Sequence, residues 1–220
     1  MDIAVRIEPV VEGRTPPVVD YRWDADTTIL CATVRADDPA PTAAAAAASA
    51  SGAPVRAVAE GMPGLEPGMS GSVEIEGRDG SWLVLDVAQG SVRGVEVAVW
   101  PDVRHRSSLR PPADAVPARV VLPGRRAAAT VSVFASSAGT RRAAAAAAAA
   151  MSADAVDSLE VNTAVAAESD EAERTIHFIL GPSRPVKHLR VARDLVFDVD
   201  ERSRLAGLWL LDVPPCPTDL

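Results

Sequence analysis

The chain has 220 residues, a net charge of −8 and a pI near 4.9. That balance argues against a general affinity for nucleic acid or anionic membranes, which needs clustered cations to displace counterions. It also holds no apolar run near the roughly 18 residues of a membrane span.

From the N-terminus, MDIAVRIEP has an acid at position two and no long apolar stretch of the signal-peptide kind, so a soluble, cytoplasmic protein is expected. Ile3 to Val11 alternates as a strand does, and a turn over Gly13 to Pro17 leads to VVDYRWDADTTILCATV. Thr28 to Val34 reads as a strand, with Asp20, Asp24 and Asp26 in the turn before it. Thr42 would cap a short helix over Ala43 to Ala50, ended by Ser51, Gly52 and Pro54. GMPGLEPGMSG is too rich in Gly and Pro for a regular element. SVEIEG then forms a strand.

Arg110 to Pro117 has three prolines in eight residues, which marks a boundary: a first half over 1–110, a Pro-rich linker over 111–117 and a second half over 118–220. Beyond it, Ala118 to Leu122 and Ala129 to Ala135 look like strands. Thr140 would cap a longer helix from Arg141 to about Ser158, whose alanine run has high propensity. Strands follow at Leu159 to Val165 and Thr175 to Leu180, around the acidic loop ESDEAE.

Two stretches read as hairpins. LVLDVAQGSVRGVEVAV begins at Leu83, and LVFDVDERSRLAGLWLLDV runs from Leu195 to Val213. Asp86 matches Asp198, and Gly94 matches Gly207 after one inserted residue. In the second, Leu208, Trp209, Leu210 and Leu211 are apolar on both faces, so that strand should be covered twice. The expected fold class is α+β: two related β-rich halves of antiparallel strands, each with one Ala-rich helix, forming a pseudo-twofold unit through the strands that hold Val97 and Leu210.

The second hairpin and VVDYRWDADTTILCATV resemble the two ends of the domain-of-unknown-function family 2283, small β-rich bacterial proteins. In that resemblance Asp20 and Asp24 are the opening pair, Asp198, Asp200 and Gly207 the closing turn, and Gly94 and Glu96 the same elements in an earlier copy. Trp209 and Ala88 depart from the pattern, and the Ala-rich inserts have no counterpart in it. The resemblance implies an internal repeat and lends no activity.

Candidate chemistry is sparse. Asp20, Asp24 and Asp26 lack the glycine and downstream glutamate of a calcium loop, so turn roles are preferred and no metal or other cofactor is expected. Asp198 and Asp200, two apart on a strand, face one way, and the preferred reading is again a solvated turn. Cys31 and Cys216 lack metal-ligand spacing and read as free thiols. His177 and His188 lie in no nucleophile or metal motif, and His177 is taken as a partly buried strand residue. Arg104, His105 and Arg106 make the densest donor cluster and are the candidate anion site. Trp209, Leu210, Leu211 and Val97 are the candidate interface.

The resulting expectation is a non-enzymatic binding or assembly protein whose partner is another protein or a second copy. The alternative is an enzyme or small-ligand protein with an anion-recognising pocket between the halves. Neither general nucleic-acid binding nor membrane association is expected.

Overall fold

The computed structural model describes residues 3–10, 15–24, 26–35, 68–124 and 157–217. Every regular element within them is a β-strand. The first six are β1 (Arg6–Pro9), β2 (Val18–Asp24), β3 (Ile29–Arg35), β4 (Gly71–Gly77), β5 (Trp82–Ala88) and β6 (Ser91–Val99). Next come β7 (Val103–His105), β8 (Val116–Val121), β9 (Asp157–Thr163) and β10 (Val165–Ser169). The last four are β11 (Ile176–Leu180), β12 (Val186–Ala192), β13 (Leu195–Asp200) and β14 (Leu205–Leu210).

The expected α+β class is therefore corrected to all-β. Most of the two Ala-rich tracts and the strand expected over Ala129 to Ala135 lie outside the described residues, so no helix supports the earlier class. Ser158, the expected helix end, stands in β9. VVDYRWD is strand β2 instead of a turn, because Val19, Tyr21 and Trp23 alternate with Asp20, Arg22 and Asp24 and put one face on the core.

The strands form one mixed sheet in the order β7-β10-β11-β14-β13-β12-β8-β6-β5-β4-β9, with β3 on β6, β2 on β3 and β1 on β8. Most pairs are antiparallel, and β4/β9, β7/β10 and β8/β12 run parallel. Both expected hairpins are present. β5 and β6 turn through Gln89 and Gly90, both at positive φ as a tight two-residue hairpin requires. β13 and β14 turn over Glu201 to Ser203. The strand neighbours also match: β4 and β3 flank the first hairpin, β12 and β11 the second.

The sheet curls so that one face encloses a single apolar cluster. Val73, Ile75, Leu83, Leu85 and Val97 meet Phe178, Phe197, Leu208 and Leu210 there, so residues from both sides of the Pro-rich stretch share one core. Side chains stitch the two arms of the curl together: Tyr21 Oη donates to the Asp194 carbonyl at 3.0 Å, and Trp23 Nε1 to that of Pro214 at 2.9 Å. The expected pseudo-twofold through the strands of Val97 and Leu210 is not found. β6 and β14 are separated by β8, β12 and β13, and each residue pairs with other strands.

The second hairpin is covered twice, as its apolar pattern requires. On the outer face Val196, Trp209 and Leu211 form a separate small cluster with Leu109, and Ala115 packs against it. The covering strap is the segment between β7 and β8. It is pinned where Arg106 N donates to the Ser169 carbonyl at 2.8 Å and Leu109 N to that of Arg106 at 3.0 Å.

Val97 and Leu210 are both fully buried in the common core. Val97→Asp and Leu210→Asp should each cost about 4 kcal/mol or more, the scale of an unpaired buried charge. Urea unfolding of each variant checks this; a change under about 1 kcal/mol would show that the site opens to water.

Candidate functional site

Alternation across β11 to β14 builds a polar row on the outer face. Ile176, Phe178 and Leu180 point inward, which turns His177 outward; Leu208 and Leu210 do the same for Gly207 and Trp209. Inward Phe197 and Val199 leave Asp198 outward, and inward Leu189 leaves His188 and Arg190 outward. Register then brings the row together: His188 pairs with Asp198, Asp198 with Gly207, and His177 with Trp209.

His177 and Asp198 are not on neighbouring strands. β14 lies between them, and they meet because Gly207 has no side chain. A Cβ there would stand 3.1 Å from Asp198 Oδ2, 3.3 Å from His177 Nε2 and 2.6 Å from the Phe178 carbonyl oxygen. The glycine is a window between two strands.

Through it, His177 Nε2 lies 2.8 Å from Asp198 Oδ2, while His188 Nδ1 lies 2.7 Å from Oδ1. Trp209 Nε1 donates to both oxygens at 3.1 Å. The His177 ring stacks on Trp209 with centroids 3.8 Å apart and planes 9° from parallel. Asp198 is 3% exposed. Burial alone would raise its carboxyl, but the hydrogen bonds and charges of the two imidazoles outweigh that and hold it below the usual carboxylate range.

An ionised carboxylate only accepts, so His177 carries a proton on Nε2 and His188 on Nδ1. Among the described residues, the distal nitrogens His177 Nδ1 and His188 Nε2 have no hydrogen-bond partner, on side chains 14% and 23% exposed. A carboxylate that fixes tautomer and ring direction is how proteins prepare a histidine to accept a proton or bind a metal. Among the described residues, however, no three His, Cys, Asp or Glu side chains converge as a metal site. Away from the row, a small cleft of about 30 Å³ lies around Arg184, lined by Ile3, Val161, Thr163, Leu180 and Leu205.

The first hairpin repeats the backbone of the window without its chemistry. Asp86 pairs with Gly94, whose Cβ would lie 3.0 Å from Asp86 Oδ2. Ser72, Cys31 and Glu96 occupy the register positions that His188, His177 and Trp209 hold in the second. Asp86 stays exposed, and burial followed by the Glu96 charge pushes the Cys31 thiol up.

The expected anion cluster is divided. Alternation places Arg104 on the outer face with Glu168 and His105 on the opposite face with Ser169. Arg106 pairs with Glu168 at 2.6 Å, and His105 Nδ1 lies 2.9 Å from Ser169 Oγ with Glu173 3.8 Å from Nε2. Trp209 and Leu211 are covered within the chain by Leu109 and Ala115, while Leu210 and Val97 face the main core. Asp20 pairs with Arg35, and Asp24 accepts the Asp26 and Thr27 amides in its turn. Asp200 closes the β13–β14 turn by accepting the Arg202 and Arg204 amides, both at 2.9 Å. Cys31 and Cys216 are free thiols.

The His177–Asp198–His188 row escaped sequence reading although Asp198 and Gly207 were both singled out. The available signal was His177 between buried Ile176 and Phe178; what was missing was the strand order that lays β14 between β11 and β13. Compared with protein-family models and with curated proteins, the chain matches none. Among the described residues, no helix is long and apolar enough to cross a membrane.

Asp198→Asn replaces an acceptor with a donor opposite three N–H groups and should cost about 3 kcal/mol at pH 7. Because the folded carboxyl is held low, its contribution is complete above the unfolded value, about 4, and is lost as pH falls through the folded value. The stability gap between wild type and variant, followed by urea unfolding from pH 7 downward, should therefore close in acid. Gly207→Ala should cost roughly 1–3 kcal/mol by overpacking and break the His177 contact.

Proposed function

We propose that this protein is a non-enzymatic binding or assembly protein of the cytoplasm, and that it meets a basic protein surface through the outer face of the β9-β4-β5-β6 arm. One observation carries the reading: Glu74, Glu76, Asp86, Glu96 and Glu160 have no ion-pair partner among the described residues. They stand outward between buried Val73, Ile75, Leu85, Val95, Val97 and Val161. Glu160 and Glu74 are directly opposite in register, and Val84 separates Glu74 from Glu96.

Like charges opposite each other on a sheet destabilise it, and a cationic partner would offset that cost. Trp82, 42% exposed, pairs with Val99, 46% exposed, beside Glu76, which supplies an apolar centre to an acidic rim. Asp198 supports the same view, since both its oxygens are committed to side chains of the chain itself.

A second reading is an enzyme or small-anion protein, supported by Asp198, which orients both imidazoles and leaves His177 Nδ1 and His188 Nε2 without a partner among the described residues. On that reading a phosphate-dependent thermal shift would vanish in His188→Gln or in Arg104→Ala with Arg106→Ala.

Sedimentation velocity of the full chain, alone and with an arginine-rich peptide as probe, tests the first reading. Association should weaken as salt rises from on the order of 20 to 500 mM. Glu74→Lys with Glu160→Lys should remove it, and Trp82→Ala should weaken it. Monomers at every salt concentration, with no peptide bound, would sink the assignment. For the isolated chain, Glu160→Gln should stabilise by roughly 0.2–1 kcal/mol by relieving the Glu74 opposition.

A further inference from the structure

Strand β9 ends the sheet. Among the described residues it pairs with β4 alone, whereas the chain just after it is closed off, because Gly181 N donates to the Ala164 carbonyl at 2.7 Å. Successive residues of a strand turn their N–H and C=O groups to opposite edges, so about half of the residues of β9 present both groups on the side away from β4. Other edges are short or blocked. β1 spans four residues and β7 three, while β2 is held where Tyr21 and Trp23 reach the Asp194 and Pro214 carbonyls and Arg193 N donates to that of Pro17 at 2.7 Å. Among the described residues, β9 is the long open edge.

The two faces of that edge differ. Ser158, Glu160 and Asn162 are exposed on the outer face, one strand from Ser72, Glu74 and Glu76, while Leu159, Val161 and Thr163 turn inward. The inward side borders the cleft of about 30 Å³, whose walls include Val161 and Thr163 from β9 but no residue of β4, so it lies on the free side of the strand. One water needs roughly 10–15 Å³ on the same measure, so the cleft holds the two or three carbons of a small aliphatic side chain, against Ile3, Leu180 and Leu205.

We propose that an extended basic segment of another protein adds to β9 as a further strand, with arginine or lysine side chains outward and small aliphatic ones inward. The backbone groups of the edge supply the ladder, and the alternation of charge and cleft supplies the choice of sequence. An outward arginine beside Glu160 also lies within two strand spacings, about 10 Å, of Glu74, so it offsets the opposition of those two carboxylates. A second copy fits less well, since antiparallel pairing of β9 with itself would bring Glu160 toward Glu160. The proposal deepens the reading of the β9-β4-β5-β6 face as an acidic binding surface, and it rests on that reading.

The full chain is titrated with a peptide of four Arg-Val repeats and with the same peptide N-methylated at every amide, following affinity and the hydrogen exchange of the Ser158 to Asn162 amides. The unmodified peptide should bind at least about tenfold more tightly than the methylated one, which keeps the charge but cannot donate to the edge. The β9 amides that do not bond to β4 should exchange fast in the free chain and slow at least about tenfold with the unmodified peptide. Glu160→Lys should weaken that peptide at least about fivefold. Equal, salt-sensitive binding of both peptides would overturn strand addition and leave the acidic-face reading standing, whereas no binding of either would end both. Slow exchange of every β9 amide in the free chain would also overturn the proposal, because the edge would then be covered already.

Discussion

A carboxylate buried in a β-sheet has no water to solvate it, and the backbone N–H groups of its own strand are already used in the ladder. Asp198 meets this constraint by taking three side-chain donors from the strands around it, and much of the second hairpin's arrangement follows. His188 must stand opposite on β12, Trp209 must turn its indole N–H outward on β14, and β14 must carry a glycine where His177 reaches across. A register slip of one residue in any of these strands would send a donor to the other face. The row thus ties four strands together where an apolar face would permit sliding.

The strap from β7 to β8 belongs to the same solution. Trp209 gives its N–H to Asp198 and its ring to both His177 and the Leu109 cluster, so the polar row and the small outer core share one side chain. Water is kept from the carboxylate on that side, which strengthens the hydrogen bonds it accepts. The first hairpin shows what the same backbone does without these partners: Asp86 faces its own glycine, but with Ser72 and Cys31 nearby it stays exposed.

The two outer faces consequently differ in kind. Beside β13 and β14, charge is consumed within the chain: Asp198 by imidazoles, Glu168 by Arg106, Asp200 by Arg184 and its own turn. On β4, β5, β6 and β9, beside Trp82, five carboxylates are left outward without an ion-pair partner among the described residues, and Arg93 is the cation on those strands. The proposed partner surface is the acidic face, whereas the row at Asp198 spends its charge within the fold.

Alternation and turn chemistry were legible in the chain alone. The two hairpins, strands β3, β4 and β11, and the need for LWLLDV to be covered on both faces all follow from local pattern, because side chains in a strand alternate every residue. The α+β expectation rested on helix propensity in the Ala-rich tracts, most of which lie outside the described residues, whereas the described residues are all-β. Strand β2 was missed because its aspartates were read as turn residues, although Val19, Tyr21 and Trp23 carry the period of two. Which strand neighbours which is set by packing between segments far apart in sequence, and no local pattern encodes it. That order places Gly207 between His177 and Asp198, sends His105 to the face opposite Arg104 and Arg106, and lays Leu109 over Trp209. The sequence by itself determined which side chains face in and which face out; only the tertiary structure decided which of them meet, because contact across a sheet depends on strand order and register, and these are fixed by the burial of the whole core.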